Sequence, residues 1–131
     1  KKALILGSGG ASKAVNFVLD NLNIKSSFVS RKPSKKSLGY TDLSLTTIAN
    51  HKLIINTTPL GTSPNINSLP NIPYEGITKE HILFDLVYNP LETAFLRKGK
   101  EMRCTTKGGK EMFVLQAEKS WAIWNSISPN I

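Results

Sequence analysis

The apolar run Ala3-Leu4-Ile5-Leu6 breaks into Gly7-Ser8-Gly9-Gly10-Ala11 and then into a helical pattern, and this succession narrows the possible folds more than anything else in the chain. A short run that is apolar at every position, rather than alternating, predicts a central parallel strand buried on both faces. From Ala11 onward, Ala14, Val15, Val18 and Leu22 recur at three- and four-residue spacing. That spacing predicts an amphipathic helix packed on the strand and ended at Asn23. Glycines at such a junction let the backbone turn sharply and come close to an anion, while the helix start offers amide N–H groups and the positive end of its dipole. Strand before and helix after are the context a phosphate loop requires. Ser12 stands where a third small residue, glycine or alanine, is common.

Further along, Ser26-Ser27-Phe28-Val29-Ser30, Leu53-Ile54-Ile55-Asn56 and His81-Ile82-Leu83-Phe84-Asp85-Leu86-Val87 read as strands, with a short helical stretch near Leu43 to Ala49. Strands alternating with helices predict crossover connections, a mostly parallel sheet and helices on both faces: a doubly wound α/β fold. Between Thr57 and Thr78, the prolines Pro59, Pro64, Pro70 and Pro73 among asparagines and serines predict a loop. A long loop at the carboxyl end of a strand lies where open α/β sheets bind ligands. Asn89-Pro90-Leu91-Glu92 predicts a helix start, with Asn as the cap, Pro in the first turn and Glu placed to complete a capping box. Arg103-Cys104-Thr105-Thr106 is expected to form a last strand and Gly108-Gly109 a turn, before a final helix carrying Phe113, Ala117, Trp121 and Trp124 on one face.

At 131 residues the chain fits one domain, residues 1–131, around one core. A hydrophobic share of 40% and a charged share of 20% belong to a packed globular protein and exclude a disordered chain. No stretch approaches the roughly 18 apolar residues of a membrane span, and the run after Lys1-Lys2 is too short for a signal-peptide core. A cytoplasmic protein is expected. Cys104 is the only cysteine, so neither an intrachain disulfide nor a cysteine-based metal site can form, and it reads as a small buried hydrophobe on a strand. His51 and His81 lack companion ligands, and no metal site is expected. The formal charge of +8 raises the prospect of an anionic partner. Nucleic acid is not expected, because the basic residues are not interleaved with aromatics and no recognition motif is present.

A domain specific for NAD places Asp or Glu roughly twenty residues past the glycine loop, where it bonds the ribose hydroxyls. Here that position holds Ser30-Arg31-Lys32; no carboxylate occurs between Asp20 and Asp42, whereas Lys25, Arg31, Lys32, Lys35 and Lys36 do. An acid would repel a 2′-phosphate, while Arg31 can stack or bond bidentately and the lysines add point charge. The expected cofactor is therefore NADP rather than NAD, on a Rossmann-type fold.

Together these segments resemble the carboxy-terminal NADP-binding half of shikimate dehydrogenase across nearly the whole chain. The family's GxGGA loop matches Gly7 to Ala11, and its NRTxxR phosphate clamp resembles Ser30-Arg31-Lys32-Pro33-Ser34-Lys35, with departures at Ser30, Lys32 and Lys35. Its INxTPLG segment matches Ile55-Asn56-Thr57-Thr58-Pro59-Leu60-Gly61, and its DxxYxPxxT segment matches Asp85 to Thr93. Gly109-Lys110-Glu111-Met112, followed by Gln116-Ala117, matches GxxMxxxQA.

The resemblance implies a cofactor site with defined members. Gly7, Ser8, Gly9, Gly10 and Ala11 would cradle the pyrophosphate, and Ser30, Arg31, Lys32 and Lys35 would surround the 2′-phosphate. Leu86 and Gly109 would meet the nicotinamide end through their backbones, with Met112 against the ring and Thr57 nearby. Tyr88 and Gln116 would reach the substrate, 3-dehydroshikimate or shikimate. In this family the Lys–Asp pair that handles the proton belongs to an amino-terminal substrate domain, which the chain is expected to lack. It is thus expected to hold no catalytic residue of its own and to bind cofactor without turnover. The competing readings are a quinate/shikimate dehydrogenase-like paralogue and a non-catalytic NADP-sensing module.

Overall fold

The computed structural model describes residues 2–109. Six strands and three helices follow one another as β1 (Lys2–Leu6), α1 (Gly10–Asn21), β2 (Lys25–Ser30), β3 (Ser37–Gly39), α2 (Leu45–Asn50), β4 (Leu53–Asn56), β5 (Ile82–Asp85), α3 (Ala94–Glu101) and β6 (Thr105–Gly108). The strands form one sheet in the order β3-β2-β1-β4-β5-β6, and every pairing between them is parallel. This is the doubly wound order in which the chain leaves β1 toward one edge and returns through β4 toward the other.

The apolar runs of β1, β4 and β5 serve two cores at once. Ala3, Ile5, Leu53, Ile55 and Phe84 pack with Val15 and Leu19 of α1 on one face. Leu4, Leu6, Ile54 and Leu83 pack with Ile48 of α2 and Phe95 and Leu96 of α3 on the other. Successive side chains of a strand point to opposite faces, so a strand between two helical layers must be apolar throughout.

Helix α1 begins at Gly10 and buries Ser12, Val15 and Leu19, while Val18 and Leu22 are half-buried against the same core. Ala14, expected on this face, is exposed. The buried stripe instead follows the i, i+3, i+7 path from Ser12. Asn23 ends the helix as expected. It adopts the left-handed conformation (φ 59°), with its N–H bonded to the Asp20 carbonyl and that of Ile24 to the Leu19 carbonyl. Ile24 and Leu19 then pack together, which completes a Schellman ending.

Three of the boundaries that differ from the sequence reading have a local hydrogen-bonding cause. Helix α3 starts at Ala94 and not near Asn89, because the Thr93 hydroxyl accepts the Leu96 N–H at 3.2 Å and acts as the cap, while Glu92 pairs with Lys100 at 2.6 Å. Strand β6 starts at Thr105 and not at Arg103, because Arg103 (φ 62°) and Cys104 close the end of α3 through bonds to Lys100 and Gly99. Cys104 consequently sits half-buried just before the strand. Strand β5 stops at Asp85, since the Val87 N–H turns back to the Asp85 carboxylate at 2.9 Å. The short β3 was not expected. The expected loop from Thr57 to Thr78 is irregular apart from a single 3-10 turn at Tyr74–Gly76. The predicted final helix lies outside the described residues.

Buried His81, just before β5, ties that strand to α2. The Thr78 N–H donates to its Nδ1 at 3.0 Å, so the proton resides on Nε2, which donates to the Ile48 carbonyl at 2.8 Å. Helix α3 meets the sheet closely at Gly99, where an added Cβ would lie 2.8 Å from both Leu83 and Thr106. Gly99→Ala should therefore lower the unfolding free energy by about 1 kcal/mol net, an overpacking cost of about 2 kcal/mol less the roughly 1 kcal/mol by which Ala favours a helix. Urea denaturation checks this, and a stabilised variant would show that the helix stands off far enough to admit a methyl group.

Candidate functional site

The predicted loop residues meet where the chain order reverses, between the carboxyl ends of β1 and β4. The Leu6 carbonyl accepts both the N–H and the hydroxyl of Thr57, at 2.9 and 2.6 Å. Gly7 bonds across to the Val29 carbonyl at 2.8 Å and has φ +122°, and a Cβ placed on it would overlap the Thr57 hydroxyl. Glycine is thus dictated here by the protein itself. At Gly9 and Gly10 the reverse holds, for an added Cβ would meet nothing within 4 Å. Their lack of side chains leaves the backbone open toward solvent and serves no internal packing.

Helix α1 has no side-chain cap and no acidic residue in its first turn. Ser12 turns inward and donates to the Gly9 carbonyl at 2.6 Å, and so it does not cover the amides. Uncapped first-turn N–H groups with the positive dipole end behind them suit an anion.

Beside this loop lies the tip of β2. The Ser30 hydroxyl donates to that of Ser8 at 3.5 Å and accepts the Lys32 N–H at 3.2 Å, which ties the loop to the strand tip. Arg31, Lys32 and Lys35 are exposed, Lys35 at the crest of a tight turn closed by paired backbone bonds between Ser34 and Ser37. The Asp42 carboxylate accepts the Gly39 N–H at 2.7 Å. Burial pushes the Tyr40 phenol up, and the nearby Arg31 charge pulls it the other way.

A buried polar network terminates β4 and β5. Asn56 and Asp85 face each other in register, both with no exposed surface. The Asp85 carboxylate accepts Asn56 Nδ2 at 3.1 Å, the Val87 N–H at 2.9 Å and the Thr93 hydroxyl at 2.6 Å. Asn56 Oδ1 accepts the N–H and hydroxyl of Thr58 at 3.0 and 2.6 Å. Burial raises the Asp85 carboxyl above its ordinary range, and the bonds from Thr93, Val87 and Asn56 offset part of that rise. Asn56, Asp85 and Thr93 were not singled out as site residues. The available signal was two polar residues closing apolar strands at positions that cannot reach water.

The remaining candidates are spread along the same edge. Leu86 is half-buried with its N–H on the Asn56 carbonyl at 3.1 Å, and the Gly109 N–H bonds the Asp85 carbonyl at 2.9 Å. Tyr88 is 67% exposed beside Leu91 at 86%. Met112 and Gln116 lie outside the described residues. Among the described residues no three His, Cys, Asp or Glu side chains gather as a metal site, and no helix is long and apolar enough to cross a membrane.

No family model matches the chain. A shikimate dehydrogenase (NADP(+)) of Methanococcus maripaludis is 41% identical over 100% of this chain and 51% of that protein. The chain is homologous to the shikimate dehydrogenases. It spans about half the length of the curated relatives it matches. Among solved structures, shikimate 5-dehydrogenase of Thermus thermophilus, in complex with NADP(H) and shikimate, superposes with a TM-score of 0.70 at 28% identity, over 95% of this chain and 49% of that one. The 5-ketofructose reductase of a Gluconobacter species gives a TM-score of 0.72 at 26% identity, over 95% and 50%. Shikimate dehydrogenases thus resemble this chain both in sequence and in fold.

Asp85 holds its proton more tightly in the folded chain than in the unfolded one, so its contribution to stability is fully present in acid and is lost as pH rises above about 4. Urea denaturation from pH 4 to 7 should show the parent losing stability relative to Asp85→Asn, with a slope of at most about 1.4 kcal/mol per pH unit. A parent that gains on the variant over this range would contradict the raised carboxyl.

Proposed function

We propose that the chain is the NADP(H)-binding domain, residues 1–131, of a shikimate 5-dehydrogenase that reduces 3-dehydroshikimate to shikimate. One observation carries the reading: open, uncapped amides at the switch point stand beside a strand tip rich in cations. Gly7, Ser8, Gly9, Gly10 and Ala11 would receive the pyrophosphate. Ser30, Arg31, Lys32 and Lys35 would receive the 2′-phosphate, Arg31 by its planar fork and the lysines as point charges. Thr57, Leu86, Gly109 and Met112 would border the nicotinamide, and Tyr88 and Gln116 the substrate.

Bound NADPH supplies the hydride. The residues of this chain would hold and orient the dinucleotide, which fixes the position from which its hydride is delivered. The proton for the substrate oxygen is assigned to a lysine–aspartate pair on a second, amino-terminal domain, in keeping with relatives about twice as long. This chain alone would therefore bind cofactor without turnover. A cytoplasmic location accords with the single cysteine.

Thermal melts with NADP and NAD test the assignment. A ligand at 100 times its dissociation constant stabilises a fold by about 2.7 kcal/mol, so NADP should raise Tm several degrees and NAD less. Arg31→Ala should weaken NADP by about 2 kcal/mol, the scale of a charged hydrogen bond, and leave NAD within about twofold. Equal shifts by both nucleotides, before and after the substitution, would refute the specificity.

A further inference from the structure

Asp85 joins three strand exits at one point. Its carboxylate holds Asn56 at the end of β4, Val87 just past β5 and Thr93 at the cap of α3, and its carbonyl holds the Gly109 N–H just past β6. Asn56 in turn holds the Leu86 N–H with its own carbonyl, and Thr58 with its side chain. Leu86 and Gly109, each just past the end of one of two neighbouring strands, are thus each one hydrogen bond away from this pair.

The acid is not interchangeable with its amide. An ionised carboxylate offers about four acceptor sites on two oxygens, whereas an Asn side chain offers one acceptor oxygen and two donors. An amide at position 85 could keep Asn56 and Val87, but it would point an NH2 group at Thr93 and take away the oxygen to which the buried Thr93 hydroxyl donates. The ion pairs among the described residues engage other groups: Lys52–Glu80, Lys98–Glu101 and Lys100–Glu92. A fully buried carboxylate without such a partner costs stability, and packing alone would be served as well by an apolar residue.

We propose that Asp85 is a positioning residue for the nicotinamide end of the dinucleotide, fixing the spacing of the Leu86 and Gly109 backbones, while the adenosine end is held separately by Gly7–Ala11 and Ser30–Lys35. This rests on the cofactor reading given above. The two ends lie on different strands, so a change at Asp85 separates them: β1 and β2 carry the adenosine groups, and β4, β5 and β6 carry the Asp85 network.

The test titrates this chain with NADPH, followed by nicotinamide fluorescence, and with 2′-phospho-ADP-ribose, which keeps the adenosine half and lacks the nicotinamide. Asp85→Asn should weaken NADPH about five- to tenfold, the scale of one lost hydrogen bond, and change 2′-phospho-ADP-ribose by less than about twofold. Thr93→Val, which removes one of the bonds to the carboxylate, should act in the same direction more weakly, and Thr93→Ser should restore parental affinity. The Thr93 pair keeps the test open if Asp85→Asn does not fold. Equal weakening of both ligands would reduce Asp85 to a general stabiliser, and no weakening of either would also overturn the proposal. If the parent bound neither ligand, the cofactor reading itself would fail; if it bound both and no variant distinguished them, only the positioning role would fall.

Discussion

Strands β1, β4 and β5 have no face that tolerates water, and the rest of the structure follows from covering both sides of them. Ala3, Ile5, Ile55 and Phe84 require α1, while Leu4, Leu6, Ile54 and Leu83 require α2 and α3. Because parallel strands need crossovers, each helix begins after the carboxyl end of a strand. The loops after β1, β2, β4 and β5 therefore gather along one edge of the sheet. The loop after β1 runs to one layer and the loop after β4 toward the other, the divergence at which open α/β sheets bind ligands. A site at this edge is a product of topology before any ligand is considered.

Much of this was legible in the order of residue types. The unbroken apolar runs announced strands covered on both faces, and Gly7-Ser8-Gly9-Gly10 announced the strand-to-helix junction. Asn23 ends the first helix where the spacing of apolar residues stops, and its side chain tolerates the left-handed backbone found there. What escaped depended on contacts distant in sequence. Leu19 rather than Ala14 faces the core because the sheet selects which stripe of the helix it covers, and spacing alone admits neighbouring stripes. Thr93 displaced Asn89 as a cap because its hydroxyl also reaches Asp85, on a different element. The β6 boundary moved because Arg103 takes a left-handed conformation usually given to glycine or asparagine, for which its residue type offers no warning. Strand β3 has three residues, too few to display a period.

The candidate site was legible unevenly for the same reason. Open backbone at the head of α1 is encoded by glycines, which are conspicuous. Cationic side chains at the end of a strand are conspicuous also, since the carboxylates are missing around them. The Asn56–Asp85–Thr93 network is encoded by ordinary polar residues that acquire meaning only when β4 and β5 pair in register. Their separation along the chain conceals a contact of 3.1 Å.

The interlock of Gly7 and Thr57 bears on how such a chain can diverge. The hydroxyl of Thr57 occupies the volume that a methyl group on residue 7 would need, and the same hydroxyl is anchored to the carbonyl just before it. The two positions form an epistatic pair. A larger residue at 7 would demand both a smaller one at 57 and a backbone that L-amino acids avoid, so substitution at either site is confined by its partner whatever molecule the crevice accepts.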